Sequence, residues 1–227
     1  MKKGLGILMV LLLLSYYSFT TFAEIPHNGS VYCRNSSHMK QIALTFDDGP
    51  HPRYTKEILS ILEEYGIVAT FFVIGVNAEL YPEPLMNIAQ SGCEIGNHTY
   101  SHARLAKLSA NQIRNEIEQC RRVVEERIGI RPVLFRPPQG ATSECVKVVS
   151  REMECDVILW SIDTLDWELR PPEQISKTVL EQIKGGDIIL MHDYVSGGNS
   201  TCEALRIIIP EILARGYEFV TVSQLIH

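Results

Sequence analysis

The sequence predicts an α/β domain built on a parallel sheet, and three observations carry that prediction. Short apolar, β-branched runs alternate with stretches whose apolar residues recur at helical spacing. Some of those runs are apolar without interruption, as strands buried on both faces are. Titratable residues cluster directly after the runs, at the strand ends where both doubly wound sheets and barrels carry their chemistry. The chain has 227 residues, 45% of them hydrophobic, enough for one domain with a sizeable core.

The N-terminus stands apart from this pattern. Lys2 and Lys3 precede an apolar stretch over residues 5–14, then a more polar run ending Thr21-Phe22-Ala23. That is the layout of an export signal, with cleavage expected after Ala23. The alternative is an uncleaved anchor, because apolar character continues through Tyr16, Tyr17 and Phe19. Either reading predicts a secreted or cell-envelope protein. Cleavage would remove two lysines and no acid, taking the net charge from −6 to −8. Residues 24–37 read as a short leader, and residues 38–227 as the domain.

Within the domain, Ile42, Leu44 and Phe46 alternate as a strand does, and Thr55 is placed to cap a helix carrying Ile58, Leu59, Ile61 and Leu62, stopped by Gly66. Residues 67–73 form an unbroken apolar run, the second strand. Residues 82–90 read as a helix closed by Gly92, and residues 93–97 as a strand. Ser109 and Gln112 are spaced as a capping box for a helix carrying Ile113, Ile117, Cys120 and Val124. A strand at 133–135, a helix near 144–151 and a strand at 157–160 follow. Pro172 opens a helix to Ile183, and residues 188–191 form a strand. Ser200 and Glu203 repeat the capping-box spacing for a helix to Arg215, and residues 219–222 close the chain as a strand. Seven strands alternating with six helices leave a doubly wound sheet and a barrel equally open.

The strand ends carry the chemistry. The first strand runs into Asp47-Asp48-Gly49-Pro50; alone, that could be no more than an Asx turn. The third runs into Asn97-His98-Thr99-Tyr100-Ser101-His102. Two histidines four apart lie on one face of a helical turn, a spacing that suits two imidazoles on one metal, although an isolated pair of this kind is more often structural. Later strands lead to Arg136, then to Asp163, Asp166 and Trp167, then to His192 and Asp193. Five of seven strands thus deliver a polar group to one rim, which coincidence explains poorly.

Taken in order, TFDDGP, NHTYSH, RPPQG, DTLDW and LMHD resemble the five motifs of the polysaccharide deacetylases that share the NodB homology domain, carbohydrate esterase family 4. The resemblance spans Thr45 to Asp193. It implies a distorted seven-stranded β/α barrel and a hydrolase that removes acetyl groups from N-acetylated sugars of peptidoglycan or a chitin-like oligomer. It also implies a divalent metal, zinc before cobalt or other ions, on Asp48, His98 and His102. Asp47 matches the general base, Arg136 the residue that holds it, His192 the general acid, and Asp166 the carboxylate that keeps that acid charged. Leu190 and Trp167 match the walls of the acetyl pocket. Gln139 stands where many relatives have Tyr; its peptide N–H matches an oxyanion donor, and its side chain bears on polymer preference. His27, His38, His51 and His227 carry no assignment and read as surface or loop residues.

Other function classes are constrained by the same residues. An esterase acting on acetylated xylan would use the same site. A non-catalytic carbohydrate-binding relative should have lost a ligand, the base or the acid, and all are present. With a net charge of −6 and no basic cluster longer than a pair after the N-terminus, neither nucleic acid nor an anionic membrane is the expected partner, and no obligate protein partner is implied. The six cysteines, Cys33, Cys93, Cys120, Cys145, Cys155 and Cys202, contain no C-x-x-C pair, so a thiolate metal site is not expected; disulfides and buried thiols are both compatible with an exported chain.

Overall fold

Among the described residues, strand β2 (Gln41–Asp47) pairs with three other strands, more than any other, in a single sheet whose ladders are all parallel. The computed structural model describes residues 27–35, 37, 40–198 and 200–227. The expected signal segment lies outside the described residues, and among these no helix is long and apolar enough to cross a membrane.

From one edge the strands run β1 (Val31–Tyr32), β6 (Asp156–Ile158), β5 (Leu134–Phe135), β4 (Glu94–Asn97), β3 (Thr70–Val73), β2, β8 (Ile188–His192) and β7 (Ile162–Asp163). Strand β9 (Glu218–Val220) pairs with residues 41–43 of β2, while residues 45–47 of β2 pair with β3. All seven strands expected from sequence are present. The two additional ones, β1 and β7, are two residues each, too short for any periodicity to mark. Strand β1 lies within the segment read as a leader.

A short link decides between the two architectures that alternation left open. Strand β6 lies near one edge and β7 forms the other, six ladders away, a separation of about 29 Å in a flat sheet. Only residues 159–161 join them, a reach of about 15 Å from Ile158 to Ile162. The sheet must therefore curl until its edges approach. Within the link, Leu159 N–H donates to Tyr32 O and Ser161 N–H to Ile188 O, tying it to both sides. The result is an open, curled half-barrel with helices around it.

The two-residue strand period sorts the core into an inner and an outer layer. On β2, Ile42, Leu44 and Phe46 face outward into the main apolar cluster with Ile58, Leu62, Leu205 and Ile209. Those partners come from α1 (Tyr54–Tyr65) and α7 (Thr201–Ala214). Ala43 faces inward with Phe72, Leu134, Ile158 and Ile188. Phe46 stacks on Phe71 with centroids 4.9 Å apart, and truncating either fully buried ring would cost about 3–5 kcal/mol. The remaining helices are α2 (Gly75–Leu80), α3 (Pro82–Gln90), α4 (Ala110–Ile128), α5 (Glu144–Glu152), α6 (Pro172–Gln182) and α8 (Val222–Ile226).

Several local expectations are corrected. Ser109 and Gln112 do form the capping box of α4. Thr55 does not cap α1: it lies inside the helix, and its hydroxyl accepts from His51 N–H and donates to the Asp193 carboxylate. Ser200 precedes α7 without a side-chain cap, because its backbone is not extended as a capping residue's must be (φ −87°, ψ 2°). The chain ends in α8 rather than in a strand. Strand β9 stops at Val220, where Thr221 and Gln224 form a capping box that the apolar run concealed. Strand β3 begins at Thr70, three residues later than its apolar run.

Candidate active site

Residues two apart on one strand share a face, and that rule builds the first half of the site. Thr45 and Asp47 follow Ala43 on the inner face of β2. Arg136, just after β5, reaches both: its Nη1 donates to Thr45 Oγ1 at 2.8 Å and to Asp47 Oδ1 at 2.7 Å. Its Nε and Nη2 donate to the carbonyls of Ile158 and Leu159, and its guanidinium lies 4.1 Å from the centroid of the Phe72 ring. Arg136 is fully buried; burial pushes its pKa down, and the Asp47 carboxylate beside it opposes that shift. The ion pair fixes the Asp47 carboxylate and leaves Oδ2 turned towards His98, 3.7 Å from its Nε2.

Asp48 breaks the strand. Its φ of 77° turns the chain, so that two adjacent carboxylates point in different directions. Gly49 follows with no room for a side chain, since a Cβ there would run into the Asp193 carboxylate. Asp48 Oδ1 comes within 3.4 Å of His98 Nε2 and 3.3 Å of His102 Nε2.

The histidine pair is held by a loop, which corrects the expected helical turn. After β4, Thr99 and His102 both take left-handed backbone (φ 67° and 56°). Asn97 Oδ1 accepts from Thr99 N–H, and the N–H groups of Gly75 and Val76 donate to the carbonyls of Thr99 and Tyr100. Glu116 of α4 accepts from both the N–H and the hydroxyl of Ser101. His98 is buried and shares a 2.8 Å hydrogen bond between Nδ1 and Arg136 O, which leaves Nε2 facing Asp48. Burial alone would lower the His98 pKa, but Asp47 and Asp48 outweigh it and raise it. Burial and the neighbouring His98 lower that of His102. For Asp48, burial acts upward and the surrounding histidines prevail, lowering its pKa.

These three donors fit a divalent cation. One ligand atom from each of Asp48, His98 and His102 lies within 4.8 Å of the others. Asp48 Oδ1 is a buried oxygen with no hydrogen bond, an arrangement that costs free energy unless something else satisfies it. The Nδ1 contact of His98 is the kind of outer support that orients metal-binding imidazoles.

Across the cleft, His192 ends β8 on the same inner face as Leu190 and Ile188. Its Nδ1 is 2.7 Å from Asp166 Oδ1, and its backbone N–H donates to Asp166 Oδ2 at 2.8 Å. Thr201, opening α7, donates a further hydrogen bond to Oδ2 at 2.9 Å. Burial would lower the His192 pKa, but the hydrogen bond and charge of Asp166, helped by Asp47 and Asp48, carry it up to about 9. Asp193 is pushed up to about 7 by burial.

Every sequence-assigned residue is brought to this one place. Asp47, Asp48, His98, His102, Gln139, Trp167, Leu190 and His192 line a cleft of about 390 Å³, together with Trp160 and Asp163. Arg136 and Asp166 stand directly behind it. Leu190 is buried and Trp167 is 49% exposed at the rim; Gln139 adopts left-handed backbone (φ 58°). Sequence reasoning placed Trp160 and Asp163 at strand ends without giving them a cleft. It gave no role to Thr45, although TFDDGP begins with it, and none to Thr201, whose position carries no signal of its own. All six cysteines are free thiols; Cys93, Cys120 and Cys155 are buried, Cys145 and Cys202 half-buried, and Cys33 is exposed.

The profile of the polysaccharide deacetylase family matches residues 34–158, more than half of the chain. The chain belongs to this family of hydrolases. It is 39% identical over 188 residues to the peptidoglycan-N-acetylmuramic acid deacetylase PdaC of Bacillus subtilis, covering 83% of this chain but only 39% of PdaC. It is 37% identical over 206 residues to a peptidoglycan-N-acetylglucosamine deacetylase of Bacillus cereus, covering 90% of this chain and 96% of that protein. Among solved structures, the Bc1960 peptidoglycan N-acetylglucosamine deacetylase superposes with a TM-score of 0.83 at 34% identity, covering 87% of this chain and 92% of that one.

Proposed function

We propose that this deacetylase is an exported, metal-dependent hydrolase that removes the N-acetyl group from N-acetylglucosamine units of peptidoglycan or a chitin-like glycan. The observation that carries this reading is the arrangement of one cleft: a candidate metal triad, with an Arg136-held carboxylate on one side and an Asp166-held imidazole on the other. The peptidoglycan deacetylases to which the chain is similar support the glycan assignment, although they differ in the named sugar.

Asp48, His98 and His102 would hold the cation, two imidazoles and one carboxylate leaving a coordination position open as catalytic zinc sites do. When bound, it would make water acidic near neutral pH and polarise the acetyl carbonyl. Asp47 then takes the proton of the water that adds to the carbonyl carbon, and Arg136 keeps that carboxylate in place without sharing the proton. The peptide N–H of Gln139 donates to the developing oxyanion. As the C–N bond breaks, His192 Nε2, the nitrogen not engaged by Asp166, gives its proton to the departing amine. Acetate and a free amino sugar leave. Leu190 and Trp167 wall the acetyl methyl group.

An amide is a harder substrate than an ester because an amine leaves poorly without a positioned acid, which gives the Asp166–His192 pair its purpose. Acetate release measured side by side on peptidoglycan, chitooligosaccharides and acetylxylan tests the assignment. Release from N-acetylated polymers is expected. Rapid release from acetylxylan with none from either N-acetylated polymer would overturn the amide reading.

A further inference from the structure

Asp156 poses a problem that the deacetylase site does not answer. It begins β6 at the N-terminal rim of the sheet, the end opposite the cleft, and its side chain is only 2% exposed. Among the described residues no lysine or arginine pairs with it. Its neighbours are two histidines from distant parts of the chain. His27 Nδ1 lies 2.8 Å from Asp156 Oδ2, and His227 Nε2 lies 4.0 Å from the same oxygen. Both imidazoles are themselves mostly covered, at 19% and 16% exposure, with ring centroids 5.6 Å apart and planes at 76°. One ligand atom from each of the three residues lies within 4.8 Å of the others.

We propose that His27, Asp156 and His227 form a second divalent-cation site, zinc-like in its donors, that ties the segment before β1 and the segment after α8 to the rim of the sheet. A buried carboxylate without a permanent cation is unfavourable, and a dication between the three donors supplies one. Zinc bonds of about 2.0–2.1 Å set tetrahedral ligand atoms about 3.3 Å apart; the two separations from Asp156 Oδ2 bracket that figure, and the two imidazole donors lie within 4.8 Å of one another. The carboxylate is already oriented from behind, because Ser30 N–H donates to Oδ1 at 3.1 Å and leaves Oδ2 to the histidines. The ion would be structural, since it lies at the far end of the strands from His192 and Asp48.

Zinc titration of the His98→Ala/His102→Ala variant isolates this site from the cleft. One ion per chain should still bind, and zinc should raise the thermal midpoint, as any ligand held only by the folded state must. Adding His27→Gln and His227→Gln removes two of the three donors and should abolish both the binding and the thermal shift. With a chelator present the two proteins should melt nearly together. If the cleft variant does not fold, the same substitutions in the otherwise unaltered protein should reduce bound zinc from two ions to one and leave acetate release intact. No zinc bound to the cleft variant, or binding in either background that His27→Gln/His227→Gln leaves unchanged, overturns the site and leaves only a hydrogen-bonded staple.

Discussion

Replacing Asp166 with Asn removes a charge and keeps the shape, which makes it the sharpest perturbation of the proposed acid. His192 sits at about 9 instead of 6.5, a difference of about 3 kcal/mol in favour of the protonated imidazole. The side chains are 12% and 1% exposed, so solvent screens little of it. Without the Asp166 charge, His192 should fall back towards 6.5. At pH 8 the protonated fraction then drops about 30-fold, while at pH 6 it drops less than twofold. Acetate release at saturating substrate, followed from pH 5 to 10, should therefore show its alkaline limb displaced to lower pH by one to several units, with the acid limb nearly unmoved. A bound cation would lower the acid in both proteins alike, so the difference between the curves is the quantity to read, and its limbs belong to the coupled site. An alkaline limb in the same place for both proteins would show that Asp166 does not tune His192. The same raised value makes a stability statement: the pair stabilises the fold below about pH 6.5, and that contribution is lost as pH rises through about 9.

Other outcomes follow from the same geometry. His98→Ala or His102→Ala should strip most of the cleft metal and abolish acetate release while the circular dichroism spectrum is kept; unchanged metal content and rate would sink the triad. Arg136→Met leaves the Asp47 carboxylate buried without its partner and should cost about 3–5 kcal/mol, measured by urea unfolding, besides eliminating activity. Gln139→Tyr should change relative rates among polymers and leave metal binding as it was; uniform loss on every polymer would point instead to the backbone at that left-handed position. Native protein should begin at Glu24 by N-terminal sequencing, and a chain starting at Met1 in a membrane fraction would favour an anchor.

Much of the site was legible because strand periodicity carries it. Once Ile42, Leu44 and Phe46 are read as the outward face of β2, Asp47 must turn inward, and Leu190 and His192 follow the same rule on β8. Motif order along the chain then names the partners. What failed locally failed for a physical reason. The spacing of His98 and His102 suits a helical turn, but hydrogen bonds donated by Gly75 and Val76 and accepted by Glu116, all on other elements, hold those residues in a loop with left-handed backbone. Thr55 looks like a cap because capping depends on composition; its hydroxyl was claimed by Asp193, 138 positions away.

The sequence by itself determined the alternation of strands and helices, the rim on which the polar residues gather, and the chemistry that those residue types can perform, because each depends on neighbours within a turn or a strand. Tertiary structure alone decided that the sheet curls, through the short link from β6 to β7. It alone brought Arg136 onto Thr45, 91 positions away, and Thr201 onto Asp166. It alone gathered His27 and His227 around Asp156. Those contacts are set by how the layers pack, and packing over such separations leaves no periodic mark on the chain.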